Sequence, residues 1–196
     1  MKSFLQYISE SKDGHIYVVH GGSDFDNIDL KHSGRGEPGN IRPLGPGLYG
    51  YHVPTNDDEE AHNAISWAQN YGKKYGRGNK TLHVFKVPRT TTLGMNTPTH
   101  HIGQFASSTT PDEHAWLNAL GDADKLPRGP ERSAAYEKAR AMEPKIKGTP
   151  QMRAARLPIG TTEVSILDPT VVTRVGKFPI DTPPHEILNH IKKQKD

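Results

Sequence analysis

The sequence predicts an α+β domain, rich in loops, with short strands forming a sheet and helices flanking it. Glycine and proline supply 19 and 16 of the 196 residues and hydrophobic residues only 33%, so much of the chain has to be loop around a modest core. Short β-favouring runs, such as Ile16 to Val19 and Thr81 to Val87, alternate with stretches of helical periodicity. The length suits one domain that carries a sizeable insertion.

In order along the chain, residues 1–14 are expected to be an N-terminal helix, because Phe4, Leu5 and Ile8 share one side before the polar break Ser11-Lys12-Asp13-Gly14. Ile16 to Val19 is the first buried strand, bounded by Gly14 and Gly21. Ser33 to Pro46 holds seven glycines and prolines and is a loop. Its G-x-G-x-x-G at Gly34, Gly36 and Gly39 follows no strand and opens no helix, which excludes a Rossmann turn.

Leu48 to Val53 is the second strand, stopped by Pro54. Asn56 is placed to cap a helix, with Glu59 closing the capping box. Ala61, Ala64, Ile65 and Ala68 form its buried face and Gly72 is its expected end, followed by a basic turn from Lys73 to Lys80. Thr81 to Val87 is a third strand.

Residues 89–157 read as a helical insertion, with helices starting at Thr110-Pro111-Asp112-Glu113 and spanning Pro130 to Met142. Strands then resume at Thr161 to Leu167 and Val171 to Val175. The main domain thus runs over residues 15–180, and residues 181–196 form a basic C-terminal helix from Pro184 to Lys193.

The net charge of +3, eleven histidines and a pI near 9.0 are compatible with an anionic ligand. The absence of cysteine excludes disulfides, thiolate metal sites and a cysteine nucleophile. No stretch has membrane-span length and no secretory leader opens the chain. The expectation is a soluble, cytoplasmic protein without membrane or metal partners. His100, His101 and His114 lack close carboxylate partners at ligand spacing, and His185, Glu186 and His190 miss zincin spacing by one residue.

Three segments carry chemistry: His20-Gly21 at the end of the first strand, Gly45-Pro46-Gly47-Leu48-Tyr49 entering the second, and Glu163 in a later one. In this order they resemble the ADP-ribosyltransferase superfamily, on the diphtheria-toxin and poly(ADP-ribose)-polymerase side. Ala68-Gln69-Asn70-Tyr71 sits where that family has its second stacking tyrosine. The resemblance covers residues 16–88 and 158–178 and implies a split β-sheet core with flanking helices. The opening Met1-Lys2-Ser3-Phe4-Leu5 also looks like the start of virion-packaged proteins of tailed phages, which implies host cytoplasm or virion as the location.

The resemblance implies that NAD is the substrate and that ADP-ribose passes to a macromolecular acceptor, protein or nucleic acid, with release of nicotinamide. Gly21 would clamp the carboxamide through its backbone, Tyr49 and Tyr71 would sandwich the ring, and His20 would hold the adenosine-side ribose. Glu163 would stabilise the oxocarbenium-like ribose and accept its 2′-hydroxyl. Glu163, His20 and Tyr49 are thus the expected catalytic set, and His20, Gly21, Gly47, Tyr49 and Tyr71 the expected NAD-binding set. Thr161 stands two before Glu163, where the arginine-modifying branch has an acidic or amide residue, so arginine is not the implied acceptor. Gly50 and Tyr51 depart from the family pattern and leave open whether Tyr49 or Tyr51 faces the ligand.

Two other classes remain open from the sequence. One keeps the fold with different chemistry, an RNA 2′-phosphotransferase or a small-molecule ADP-ribosyltransferase. The other is a non-catalytic virion or nucleic-acid-binding protein with a relic cleft. The basic run Lys73 to Lys80, with Tyr71 and Tyr75 interleaved, could touch phosphates or could be a solvated turn.

Overall fold

The computed structural model describes residues 14–29, 47–88, 92–94, 125–142, 152–156 and 161–194, with isolated positions 115, 119, 122 and 123. The N-terminal helix, the loop from Ser33 to Pro46 and the helix start at Thr110 lie outside the described residues.

The strands are β1 (His15–Ser23), β2 (Leu48–Val53), β3 (Lys80–Pro88), β4 (Thr92–Gly94), β5 (Met152–Arg156), β6 (Thr162–Ile166) and β7 (Thr173–Pro179). They form one seven-stranded sheet in the order β4-β5-β6-β2-β1-β3-β7, antiparallel throughout except for β4 and β5. The helices are α1 (Asp58–Tyr75), α2 (Pro130–Ala141) and α3 (Pro184–Lys193). The molecule is α+β.

Two cores sandwich the sheet. On one face Tyr17, Val19, Leu82 and Val84 pack against Ala61, Ala64, Ile65 and Ala68 of α1 and Ile187, Leu188 and Ile191 of α3. On the other, Ile16, Val18, Phe85 and Ile166 meet Tyr136 and Ala139 of α2. This is the alternation of β1 and β3 expressed as two layers. The C-terminal helix is held by Lys192 to Asp58 at 2.7 Å and by the Tyr17 hydroxyl, which donates to the Gln194 carbonyl at 2.8 Å.

Several expectations are corrected. Asp57, not Asn56, caps α1, because its carboxylate accepts from the Glu60 amide at 3.0 Å. Gly72 does not end the helix, which runs on to Tyr75 so that Lys73 and Lys74 are helical. A Cβ on Gly72 would lie 2.8 Å from the Gly21 and Gly22 backbones, and one on Gly21 would run into the Ala68 carbonyl. The two glycines therefore let helix and strand touch backbone to backbone. Residues 89–157 are not purely helical, since β4 and β5 extend the sheet beyond β6. A 3-10 turn at Pro169–Val171, capped by Asp168, delays the last strand to Thr173.

The sheet is continuous but opens at its centre. β1 pairs with β3 along its whole length, and β2 with β6 from Leu48 to His52. Between β1 and β2 the ladder holds only three pairs, Tyr17 to Val53, Val18 to His52 and Val19 to Tyr51. Beyond Val19 the two strands part, and the residues on either side of the gap are His20 and Gly21, and Gly50 and Tyr49.

Because the Gly21 contact is with backbone, Gly21→Ala should lower stability by about 1–3 kcal/mol. Urea unfolding of wild type and variant measures it, and a difference within experimental error would mean that α1 can slide off the strand at no cost.

Candidate active site

The gap between β1 and β2 is a small cleft, open to solvent. Its walls are His20 and Gly21 from β1, Tyr49, Gly50 and Tyr51 from β2, Glu163 from β6, and Ala68 and Tyr71 from α1. Each element arrives for a local reason. β6 lies against β2 with Glu163 opposite Tyr51 and Ser165 opposite Tyr49, which sets the carboxylate beside Tyr51; Tyr51 packs in the core on the α1 side and Tyr49 in the core on the α2 side. Glu163 is the partly buried residue of a strand otherwise buried. Helix α1 reaches the cleft because Gly21 admits Ala68, which brings Tyr71 one turn further along.

His20 bridges the parted strands. Its Nδ1–H donates to the Tyr49 carbonyl at 2.5 Å, which fixes the tautomer and makes Nε2 the acceptor of the neutral ring. The imidazole thus stands where strand pairing has stopped. Alternate backbone amides and carbonyls of β1 beyond Val19 point toward this same edge.

The structure brings His20, Gly21, Tyr49, Tyr71 and Glu163 to one cleft and adds Tyr51. Tyr49 and Tyr51 both line it, so the register question has no single answer. Gly47 stands apart from the lining. Its φ of 145° is a backbone conformation that suits glycine, and a Cβ there would meet Ser165 Oγ and, at 2.8 Å, the Ile166 carbonyl. Its role is to let the chain enter β2 against β6. The bare Cα of Gly21 is used by α1, so what it can offer a ligand is backbone.

Sequence reasoning missed the group behind His20. His83 is fully buried on β3, opposite His20 in the ladder, with ring centroids 6.2 Å apart. Phe25 stacks on His83 at 4.0 Å and meets the edge of His20 at 5.8 Å, and the Arg174 guanidinium lies over the Phe25 ring at 4.9 Å. His83 Nε2–H donates to the Ser23 carbonyl at 3.4 Å, while Nδ1 is buried without a partner. Burial above all, then the charge His20 would carry when protonated and that of Arg174, pushes its pKa down to about 4. The ring under His20 is therefore neutral at neutral pH. His83 shares a face of β3 with Thr81, Phe85 and Val87, but with Leu82 and Val84 also apolar the sequence marks neither face as the inner one, and its meeting with His20 depends on register.

Among the described residues, no three His, Cys, Asp or Glu side chains are grouped to hold a metal ion, and no helix is long and apolar enough to cross a membrane. His100, His101 and His114 lie outside the described residues. Comparison with family models, curated proteins and solved structures finds no match to this chain.

A histidine whose pKa falls on folding binds its proton more readily when unfolded. Its stabilising contribution is complete above the unfolded value of 6.5 and is lost as pH falls toward about 4. Thermal unfolding followed from pH 7 to pH 4 should show a shallower acid-side decline for His83→Gln than for wild type. Identical slopes would assign the decline to other groups.

Proposed function

We propose that the protein is an ADP-ribosyltransferase that takes NAD in the cleft between β1 and β2 and transfers ADP-ribose to a macromolecular acceptor. One observation carries the reading: His20, Gly21, Tyr49, Tyr71 and Glu163, singled out from separate stretches of sequence, line a single cleft. The residues fit the ligand. Three tyrosines line it as aromatic partners for a flat heterocycle, an unladdered strand edge offers backbone groups to a carboxamide, and one carboxylate stands beside them. The cleft is small and opens to solvent, so it does not enclose a whole dinucleotide. The described walls thus hold the nicotinamide end, with the rest of the dinucleotide along the rim.

NAD bound there supplies an activated leaving group on a ribose carbon, and the chain supplies its environment. Glu163 places negative charge where positive charge develops on the ribose and accepts the 2′-hydroxyl. Tyr49, Tyr51 and Tyr71 pack the ring and exclude water from it. Gly21 offers its backbone to the carboxamide. His20, locked by its bond to the Tyr49 carbonyl, presents Nε2 to a ribose hydroxyl.

The 2′-phosphotransferase alternative asks for several arginines at the site, and the cleft lining has none among the described residues. A relic cleft would bind without turnover. Incubation with NAD and chromatographic measurement of released nicotinamide separates these readings. Glu163→Gln should slow release by about 10²-fold or more while the unfolding midpoint stays near that of wild type. Equal release by wild type and variant would remove Glu163 from the chemistry, and absence of NAD binding by calorimetry would overturn the assignment.

A further inference from the structure

Helix α1 carries three aromatic rings in a row, Trp67, Tyr71 and Tyr75, four residues apart and therefore on one side. The row meets the cleft at its middle ring. Tyr71 lines the cleft, Tyr75 lies 4.7 Å from Tyr71, and Trp67 lies 6.3 Å from the cleft residue Tyr51. Trp67 and Tyr75 are 44% and 40% exposed. The fold does not need them there, because α1 buries a different face made of Ala61, Ala64, Ile65 and Ala68.

The charge that α1 beyond Ala61 and the turn after it bring to the row is positive. Lys74, Arg77 and Lys80 cluster at its C-terminal end, while Lys73 is paired with Asp181 at 2.7 Å. Lys74 Nζ stands over the Tyr75 ring at 4.9 Å. Exposed rings bordered by cations suit the bases and phosphates of a single strand. A docked protein would favour a centre depleted of lysine, which this surface is not.

We propose that this row is the docking surface for a single-stranded nucleic acid, and that a base of that strand is the acceptor. The second half rests on the ADP-ribosyltransferase reading. In the transfer, a nitrogen of the docked base forms the new bond to the ribose carbon as the bond to nicotinamide breaks. Nicotinamide leaves with the bonding pair, and the base nitrogen gives one proton to solvent.

The docking half is tested without NAD, by fluorescence anisotropy of a short fluorescein-labelled mixed-sequence DNA single strand titrated with the full chain at low salt. Affinity should fall with salt at a log–log slope of roughly −0.7 per phosphate contacted, hence about −2 for Lys74, Arg77 and Lys80. Tyr75→Ala should weaken binding roughly 5-fold or more, and Lys74→Glu with Arg77→Glu should weaken it and flatten the slope. The same sequence as duplex should bind less tightly. Absence of binding by a wild-type protein that releases nicotinamide from NAD would overturn the proposal and leave the activity standing. Binding without nicotinamide release would support the docking surface while the activity falls. With labelled NAD and a lysate, label in a product sensitive to nuclease supports a base acceptor, whereas label lost to protease alone overturns it in favour of a protein.

Discussion

The early end of the β1–β2 ladder is the constraint on which the rest of the site depends. Both strands remain fully paired on their outer sides, β1 to β3 through Ser23 and β2 to β6 through Leu48. Only inner pairings are given up. A buried carbonyl left without a donor is costly, and the His20 ring satisfies one by binding the Tyr49 oxygen across the gap. The imidazole is thus a structural tie and a wall of the cleft at once. Without the parting, Glu163 and the tyrosines would face a closed sheet.

What the sequence made legible was local pattern. β1, β2, β3 and β6 are apolar runs with clear stops, and the face of α1 is written in the spacing of its alanines and Ile65. What it concealed depends on partners distant in the chain. Met152–Arg156 contains two arginines and two alanines and no β-branched residue, so local preference argues for helix. It is a strand because β6 offers an edge to pair with. Gly72 looks like a helix stop until β1 is laid against it. Asn56 and Asp57 are both good caps, and only the reach to Glu60 distinguishes them. At the site, His20, Tyr49 and Glu163 were visible as motifs, whereas Phe25, His83 and Arg174 carried no such mark, because their meeting is a matter of register and of the turn after β1.

The two sides of His20 differ in character. Toward the cleft lie phenols and a carboxylate, and behind lie Phe25, Phe85 and the neutral His83, with the Arg174 charge spread over aromatic faces. An uncharged ring beneath His20 spares it a second cation at close range. The polar work is therefore concentrated on the side open to solvent.

The contact between Gly21 and α1 has a consequence for how such a chain can vary. A Cβ on Gly21 meets the Ala68 carbonyl and one on Gly72 meets the β1 backbone, whereas one on Gly22 meets only the His20 side chain. Steric trouble with a side chain can be relieved by trimming that side chain elsewhere in the gene. Trouble with main chain has no such suppressor, so Gly21 and Gly72 are closed to drift together, and lineages that keep this architecture must inherit both.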